Sequence, residues 1–173
     1  MSGKFNLLVL KILTIFKFQK QVAMIDKLGK TKVILVEDDA EDIEFFMECL
    51  EDLPYEAEVT TYRNGQEFVD GMIANRTNLP DLVFLDLNMP VKNGVQALKE
   101  LRALPDFKNI PVVAIYSTSI SEKDHAETFL HGADAFISKP NDYKDLKRLI
   151  RQIFEIDWKN RNTDKKNFII TPL

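Results

Sequence analysis

Residues 82–90 read Leu82-Val83-Phe84-Leu85-Asp86-Leu87-Asn88-Met89-Pro90, an unbroken apolar run that ends in the carboxylate of Asp86. A short apolar run of this kind is typical of a strand that is buried on both faces of a parallel sheet. A carboxylate at the end of such a strand is costly unless a cation or a hydrogen-bond donor lies beside it. The stretch therefore predicts a covered parallel sheet with a polar site at Asp86.

Three other apolar runs, at residues 33–36, 112–116 and 135–138, also end in polar side chains. The residues that follow these runs are Glu37-Asp38-Asp39, Ser117-Thr118 and Lys139-Pro140. The carboxyl ends of parallel strands meet at one edge of a sheet, where such folds bind ligands. Carboxylates, a hydroxyl and an amine at one edge are the components of a magnesium-dependent aspartyl-phosphate site.

Apolar runs alternate with amphipathic helical stretches from residue 32 to about 156, which predicts five βα units in an α/β, doubly wound parallel sheet. The expected strands are Lys32–Val36, Glu56–Tyr62, Leu82–Leu87, Val112–Tyr116 and Ala135–Ser138. Asp39 and Asn141 are expected to cap the first and last helices. We expect an N-terminal extension over residues 1–30, a domain over residues 31–156, and a loose polar tail over residues 157–173.

The composition of the 173 residues, 45% hydrophobic and 29% charged, fits a soluble globular protein. Cys49 is the only cysteine, which excludes a disulfide scaffold and is compatible with the cytoplasm. The chain carries a net charge of −4, and its two ends (1–30 and 155–173) together carry +6, so residues 31–154 carry −10. This acidic centre argues against nucleic-acid binding through phosphate neutralisation.

The first 23 residues leave two interpretations open. The apolar stretch Phe5–Phe18 is interrupted by Lys11 and Lys17, so it lacks the roughly 18 uncharged residues of a membrane span. A signal peptide is not favoured either, because no small-residue cleavage site follows. The segment is either an interfacial helix or an extension upstream of a start at Met24. We favour the extension, because Met24 leads directly into the first strand.

The carboxylates of Glu37, Asp38 and Asp86 lie close together if the first and third strands are neighbours. At about 4 Å and an effective dielectric constant near 20, each pair repels by about 4 kcal/mol. A cation relieves this repulsion, and Mg²⁺ prefers oxygen ligands. Taken alone, Glu37-Asp38-Asp39 is more typical of a solvated loop and helix cap than of a metal site. Lys139 offers an ammonium and Ser117 offers a hydroxyl, and both are suitable donors to a phosphoryl group on Asp86. We expect a cis peptide bond between Lys139 and Pro140 that directs the amine towards the site.

These segments resemble, in order, the motifs of a response-regulator receiver domain. The matching stretches are Val33–Asp39 (VILVEDD), Phe84–Pro90 (FLDLNMP), Tyr116–Ser119 (YSTS), Gly132–Ala133 and Phe136–Pro140 (FISKP). The resemblance covers residues 32 to about 156 and implies a flavodoxin-like (βα)5 sheet with strand order 2-1-3-4-5. The Ser-Thr-Ser stretch, with a tail containing Trp158, is similar to the small stand-alone receivers that serve phytochrome-type sensor kinases.

The resemblance implies a role for each site residue. Asp86 is the phosphoacceptor, Glu37 and Asp38 hold Mg²⁺ with Asp86, and the backbone carbonyl of Asn88 completes the protein ligands. Lys139 contacts the phosphoryl group. The switch residues are Ser117, with Thr118 as the alternative, and Phe136, which is equally typical of a buried core aromatic.

One departure from the family pattern concerns the register of the fourth strand. Pro111 lies six residues before Ser117, where the family commonly has five. If Pro111 set the register, Tyr116 would occupy the switch position. Ser117 and Lys139 are separated by 22 residues, which is the usual family spacing. We therefore expect the extra residue to precede the strand.

Two other functions compete with the receiver. A phosphohydrolase of the haloacid-dehalogenase type also uses a strand-end Asp and Mg²⁺, but it carries a second Asp where this chain has Asn88. A transcription factor is not favoured, because residues 155–173 hold no helix-turn-helix. We expect a stand-alone response regulator that is not an enzyme, without direct nucleic-acid or membrane binding. Its expected partners are a sensor histidine kinase or phosphotransfer protein, a downstream protein, and a second copy through the last helices and strand.

Overall fold

The computed structural model describes residues 30–108, 110, 113–117, 122–140, 142–161 and 163–172. The chain from Thr31 onwards belongs to one compact unit, Thr31–Leu173. The proposed interfacial helix, Pro111, Thr118 and Asn141 lie outside the described residues. None of the helices in the described part of the chain is long and apolar enough to cross a membrane.

The described residues form strands and helices in alternation. The strands are β1 (Thr31–Val36), β2 (Ala57–Tyr62), β3 (Leu82–Asp86), β4 (Val113–Ser117), β5 (Ala135–Ser138) and β6 (Ile169–Ile170). The helices are α1 (Ala40–Glu51), α2 (Gly65–Ala74), α3 (Gly94–Ala103), α4 (Glu122–Leu130) and α5 (Tyr143–Glu155), with a 3-10 turn at Pro105–Phe107.

The strands form one parallel sheet in the order β2-β1-β3-β4-β5-β6. The predicted order of the first five strands, 2-1-3-4-5, is confirmed. β1 pairs with β2 on one side and with β3 on the other, so the direction in which the chain adds strands reverses at β1. The ligand crevice of such sheets lies at this reversal, beyond the carboxyl ends of the strands.

Helices cover both faces of the sheet. In β1, Val33 and Leu35 pack in the hydrophobic layer that includes α1 and α5, whereas Ile34 and Val36 pack in the layer that includes α2 and α3. All five residues of β3 are buried, as its unbroken apolar sequence predicted. The carboxylate of Asp86 therefore lies at the end of a strand that is buried along its whole length.

Helix caps fix the loops around the site. Asp39 caps α1 by accepting hydrogen bonds from the backbone N–H groups of Glu41 and Asp42, as expected from its position. Asn93 and Gln96 form a capping box at the start of α3. Asp142 caps α5, in place of the expected Asn141.

The C-terminal segment contradicts the prediction of a loose tail. β6 pairs with β5, with Ile169 opposite Phe136. Phe168 is 3% exposed, accepts a hydrogen bond from the backbone N–H of Phe136 at 2.8 Å, and packs edge-on against Phe129 at 5.1 Å. The apolar sequence Phe168-Ile169-Ile170 adds a sixth strand because its backbone pairs with the edge of β5. Lysine-rich residues precede this short apolar run, so the sequence of the tail as a whole indicates a polar segment.

Candidate functional site

The strand ends bring together four of the predicted site residues. Glu37 and Asp38 follow β1, Asp86 ends β3, and Lys139 follows β5. Nζ of Lys139 lies 2.6 Å from Oε2 of Glu37 and 3.7 Å from Oδ2 of Asp86. Strands β1, β3 and β5 end at the same edge of the parallel sheet, with β4 between β3 and β5, so the residues at their ends lie at one edge.

The three carboxylates that were expected to hold a metal form one cluster. Glu37, Asp38 and Asp86 each offer an oxygen, and these oxygens all lie within 4.8 Å of one another. Glu37 is 1% exposed and Asp86 is 7% exposed, whereas Asp38 is exposed. The cluster is thus closed on the protein side and accessible through Asp38.

Burial and like charges shape the protonation of this cluster. Burial raises the pKa of Glu37 to about 7, opposed by the hydrogen bond from Lys139 and reinforced by the charge of Asp86. Burial alone would lower the pKa of Lys139, but hydrogen bonds to Asp42 and Glu37, with the charge of Asp86, raise it overall. The lysine therefore stays charged and holds the acidic residues together.

The donor set suits a small divalent cation. Carboxylate oxygens are the ligands that hard cations such as Mg²⁺ prefer, and a cation there would relieve the charge repulsion among the clustered carboxylates. The backbone N–H of Asn88 donates to Oδ1 of Asp86 at 2.8 Å, which orients the carboxylate. The predicted role of the Asn88 carbonyl as a metal ligand remains a prediction.

The end of β4 lies beside the site. In the sheet register Tyr116 is opposite Asp86, and Ser117 is opposite Ser138, the residue before Lys139. The described strand β4 includes Ser117, one residue beyond the expected end at Tyr116. The expectation of an extra residue between Pro111 and the strand falls outside the described residues. The switch roles of Ser117 and Thr118 remain predictions.

The prediction of a cis bond between Lys139 and Pro140 is wrong. Among the residues that the structure describes, no peptide bond is cis. Lys139 already reaches Glu37 and Asp86 from the end of β5 with a trans bond. The trans form is the ordinary preference for a residue before proline, and the amine needs no special bond to reach the carboxylates.

Phe136, the predicted switch aromatic, is fully buried in β5. Its ring packs edge-on against the ring of His125 at 4.2 Å and lies 6.3 Å from the ring of Phe168. Nε2 of His125 is buried and has no hydrogen-bond partner among the described residues. Phe136 is therefore a core aromatic in this conformation, and movement of its ring would have to displace both neighbours.

Sequence reasoning missed two residues of the site. Asp42, in the first turn of α1, accepts a hydrogen bond from Lys139. Gly94 starts α3 against the backbone of Asp86: a Cβ atom at position 94 would lie 2.1 Å from the backbone oxygen of Asp86. The Asn93-Gly94 pair in the sequence is a turn signal, which does not by itself indicate the contact with Asp86. Asp42 carried no such signal, because acidic residues are common in the first turn of any helix.

Comparison with known proteins identifies the family. The sequence model of one protein family, the response regulator receiver domain, matches residues 33–151. The chain is 32% identical over 136 residues to the response regulator Rcp1 of Synechocystis sp., an alignment that covers 75% of this chain and 91% of Rcp1. It is 33% identical over 109 residues to the polar-differentiation response regulator DivK of Brucella anthropi, covering 62% of this chain and 83% of DivK.

Solved structures agree with these sequence matches. The phosphorylated cyanobacterial phytochrome response regulator RcpA superposes with a TM-score of 0.68 at 33% identity, covering 78% of this chain and 98% of RcpA. The Mn²⁺-bound form of Rcp1 gives a TM-score of 0.66 at 25% identity, covering 78% of this chain and 99% of Rcp1. With a matching family model, matching fold and the strand-end cluster in place, this chain belongs to the family of response regulator receiver domains.

Proposed function

We propose that Asp86 accepts a phosphoryl group from a phosphohistidine of a sensor kinase or phosphotransfer protein. The observation that carries this proposal is the position of the Lys139 ammonium, 3.7 Å from the Asp86 carboxylate, at the edge of the three-carboxylate cluster. Receiver domains accept phosphoryl groups from histidine kinases. Asp86 and Lys139 both lie within residues 33–151, the range that the family model matches.

The chemistry needs one bond made and one broken. A carboxylate oxygen of Asp86 attacks phosphorus, the P–N bond of the phosphohistidine breaks, and the departing imidazole retains the bonding electron pair. The product is an acyl phosphate on Asp86. The N–H of Asn88 holds Oδ1 of Asp86 at 2.8 Å, and Lys139 supplies positive charge for the phosphoryl oxygens.

The cation of this reaction is proposed to be Mg²⁺. Glu37, Asp38 and Asp86 would hold it, with the Asn88 carbonyl as the further protein ligand. When bound, it would neutralise charge on the phosphoryl oxygens. The carboxylate oxygens within 4.8 Å of one another support the proposal, as does the similarity to the Mn²⁺-bound structure of Rcp1.

Phosphorylation is proposed to act through Ser117, with Thr118 as the alternative and Phe136 as the responding aromatic. A hydroxyl that binds only the phosphorylated state shifts the equilibrium between two conformations. Ser117→Ala should still accept phosphoryl on Asp86 but show smaller amide chemical-shift changes with beryllofluoride, a phosphoryl mimic. If Ser117→Ala responds fully and Thr118→Ala does not, the role belongs to Thr118.

Output is proposed to occur through protein–protein contact by a stand-alone cytoplasmic receiver, without direct nucleic-acid binding. The relatives support this: alignment with Rcp1 covers 91% of that protein. The face of α4, β5 and α5 is the proposed contact surface for a downstream protein or a second copy, and Leu130 at its edge is 78% exposed. β6 extends the sheet beyond β5 on this side.

Phosphotransfer tests the proposal directly. Purified, radiolabelled histidine kinases and phosphotransfer proteins of the same genome should include one that labels the wild-type chain within a short incubation. Asp86→Asn should remain unlabelled by the same donor. Glu41→Gln, an exposed residue of α1, provides the matched control and should accept phosphoryl at the wild-type rate. Labelling of Asp86→Asn by that donor would refute the assignment.

A further inference from the structure

Lys139 is held by two carboxylates in addition to the phosphoacceptor. Its ammonium donates hydrogen bonds to Oε2 of Glu37 at 2.6 Å and to Oδ2 of Asp42. Oδ2 of Asp86 lies farther away, at 3.7 Å, which is an ion-pair distance and not a hydrogen bond. The lysine that is expected to serve the phosphoryl group is therefore bound more closely to other residues.

Asp42 is well placed to hold the lysine. It is the third residue of α1, and its backbone N–H lies 3.4 Å from the capping carboxylate of Asp39, so the cap fixes its position. The Asp42 side chain is 38% exposed, whereas the side chain of Lys139 is 6% exposed. Asp42 thus approaches a buried ammonium from the solvent side of the site, and it is not one of the three clustered carboxylates.

We propose that Asp42 is a positioning residue that holds the Lys139 ammonium away from Asp86 until a phosphoryl group competes for it. This role rests on the proposed function of Asp86. Charge-assisted hydrogen bonds to a carboxylate and to a phosphoryl oxygen draw on the same N–H groups of the ammonium. An ammonium has three N–H groups, so Lys139 can exchange Asp42 for a phosphoryl oxygen while it keeps Glu37.

The exchange sets the affinity of the site for a phosphoryl group. A phosphoryl group or mimic that binds Lys139 must first displace Asp42. The apparent affinity for that group is therefore its intrinsic affinity multiplied by the fraction of lysine that Asp42 does not hold. Removing the Asp42 charge removes this competition. Because Asp42 lies outside the carboxylate cluster, its removal leaves the proposed ligands of the cation in place.

Beryllofluoride binding in saturating Mg²⁺ tests this role. Asp42→Asn should bind the mimic at least about fivefold more tightly than wild type, given the strength of a hydrogen bond between charged groups. Asp42→Glu, which keeps the carboxylate, should return affinity towards wild type. Glu41→Gln removes one charge from the same helix turn without a contact to Lys139, and its affinity should stay within about twofold of wild type, since exposed charges interact weakly.

A second readout reports on the lysine itself. Without the mimic, the NMR signal of the Lys139 ε-CH₂ group, assigned with Lys139→Arg, should shift in Asp42→Asn and remain unchanged in Glu41→Gln. Equal or weaker mimic binding by Asp42→Asn would overturn the role of Asp42, and so would an equal gain in Glu41→Gln. If wild-type protein, Asp42→Asn and Glu41→Gln all fail to bind the mimic, the proposed function of Asp86 fails, and the role of Asp42 fails with it.

Discussion

Nζ of Lys139 lies 2.6 Å from Oε2 of Glu37, and the two side chains are only 6% and 2% exposed. The pair is therefore a buried ion pair at the centre of an acidic cluster. Removal of one partner from such a pair leaves an uncompensated buried charge. The lysine accordingly supplies the counter-charge that Glu37 needs inside the fold.

Replacing this lysine should destabilise the protein in the absence of metal. Lys139→Met should lower the free energy of unfolding by about 3 kcal/mol, because Glu37 and Asp86 lose their counter-charge. Added Mg²⁺ should restore part of that loss. Urea unfolding with and without Mg²⁺ measures both effects. Lys147→Met removes the exposed pair with Asp52 and should cost less than about 1 kcal/mol; equal losses in the two variants would contradict the buried pair.

The exposed carboxylate of the cluster should govern metal affinity. Asp38→Ala should weaken Mg²⁺ binding by at least about tenfold. Even the loss of a residue that only hydrogen-bonds to a metal ligand lowers metal affinity by about that factor. In the absence of metal, the same change should raise the melting temperature, because it removes like-charge repulsion from Glu37 and Asp86. Calorimetric titration with Mg²⁺ measures the affinity, and Glu41→Gln is the control. Equal affinity of Asp38→Ala and wild type would exclude Asp38 as a ligand.

The sixth strand should contribute to stability. Phe168→Ala should lower the free energy of unfolding by about 3–5 kcal/mol, because a buried ring in contact with Phe129 and Phe136 is lost. Ile169→Ala should cost less, since Ile169 is 44% exposed. Urea unfolding of the two variants provides the comparison. A negligible effect of Phe168→Ala would mean that the C-terminal segment does not pack on the domain in solution.

Cys49 should be unreactive in the folded protein. Burial raises the pKa of its thiol to about 11, from an ordinary value of 9.0. Folding therefore favours the protonated thiol, so this contribution to stability is complete below pH 9 and is lost as the pH rises towards 11. Ellman's reagent should react slowly below pH 9 until urea unfolds the chain, and Cys49→Ala should lose less stability than wild type over the alkaline range. Rapid reaction of folded protein would place the thiol at the surface.

The sequence predicted the part of the site that the sheet itself assembles. Glu37, Asp86 and Lys139 each follow an apolar run, and the carboxyl ends of parallel strands lie at the same edge of the sheet. The role of Asp42 was not predictable, because its contact depends on how far the Lys139 side chain extends across the site. β6 was missed because two paired residues are too few to produce a strand signal, and only the open edge of β5 gives Phe168-Ile169-Ile170 a partner.

Intact-mass spectrometry of the purified protein, incubated with Mg²⁺ and a small acyl phosphate, tests the central claim most directly. Wild-type protein should gain a single phosphoryl group that hydroxylamine removes, as expected of an acyl phosphate on a carboxylate. Asp86→Asn should gain none, while Glu41→Gln should be labelled like wild type. Full, hydroxylamine-sensitive labelling of Asp86→Asn would contradict the assignment of Asp86 as the phosphoacceptor.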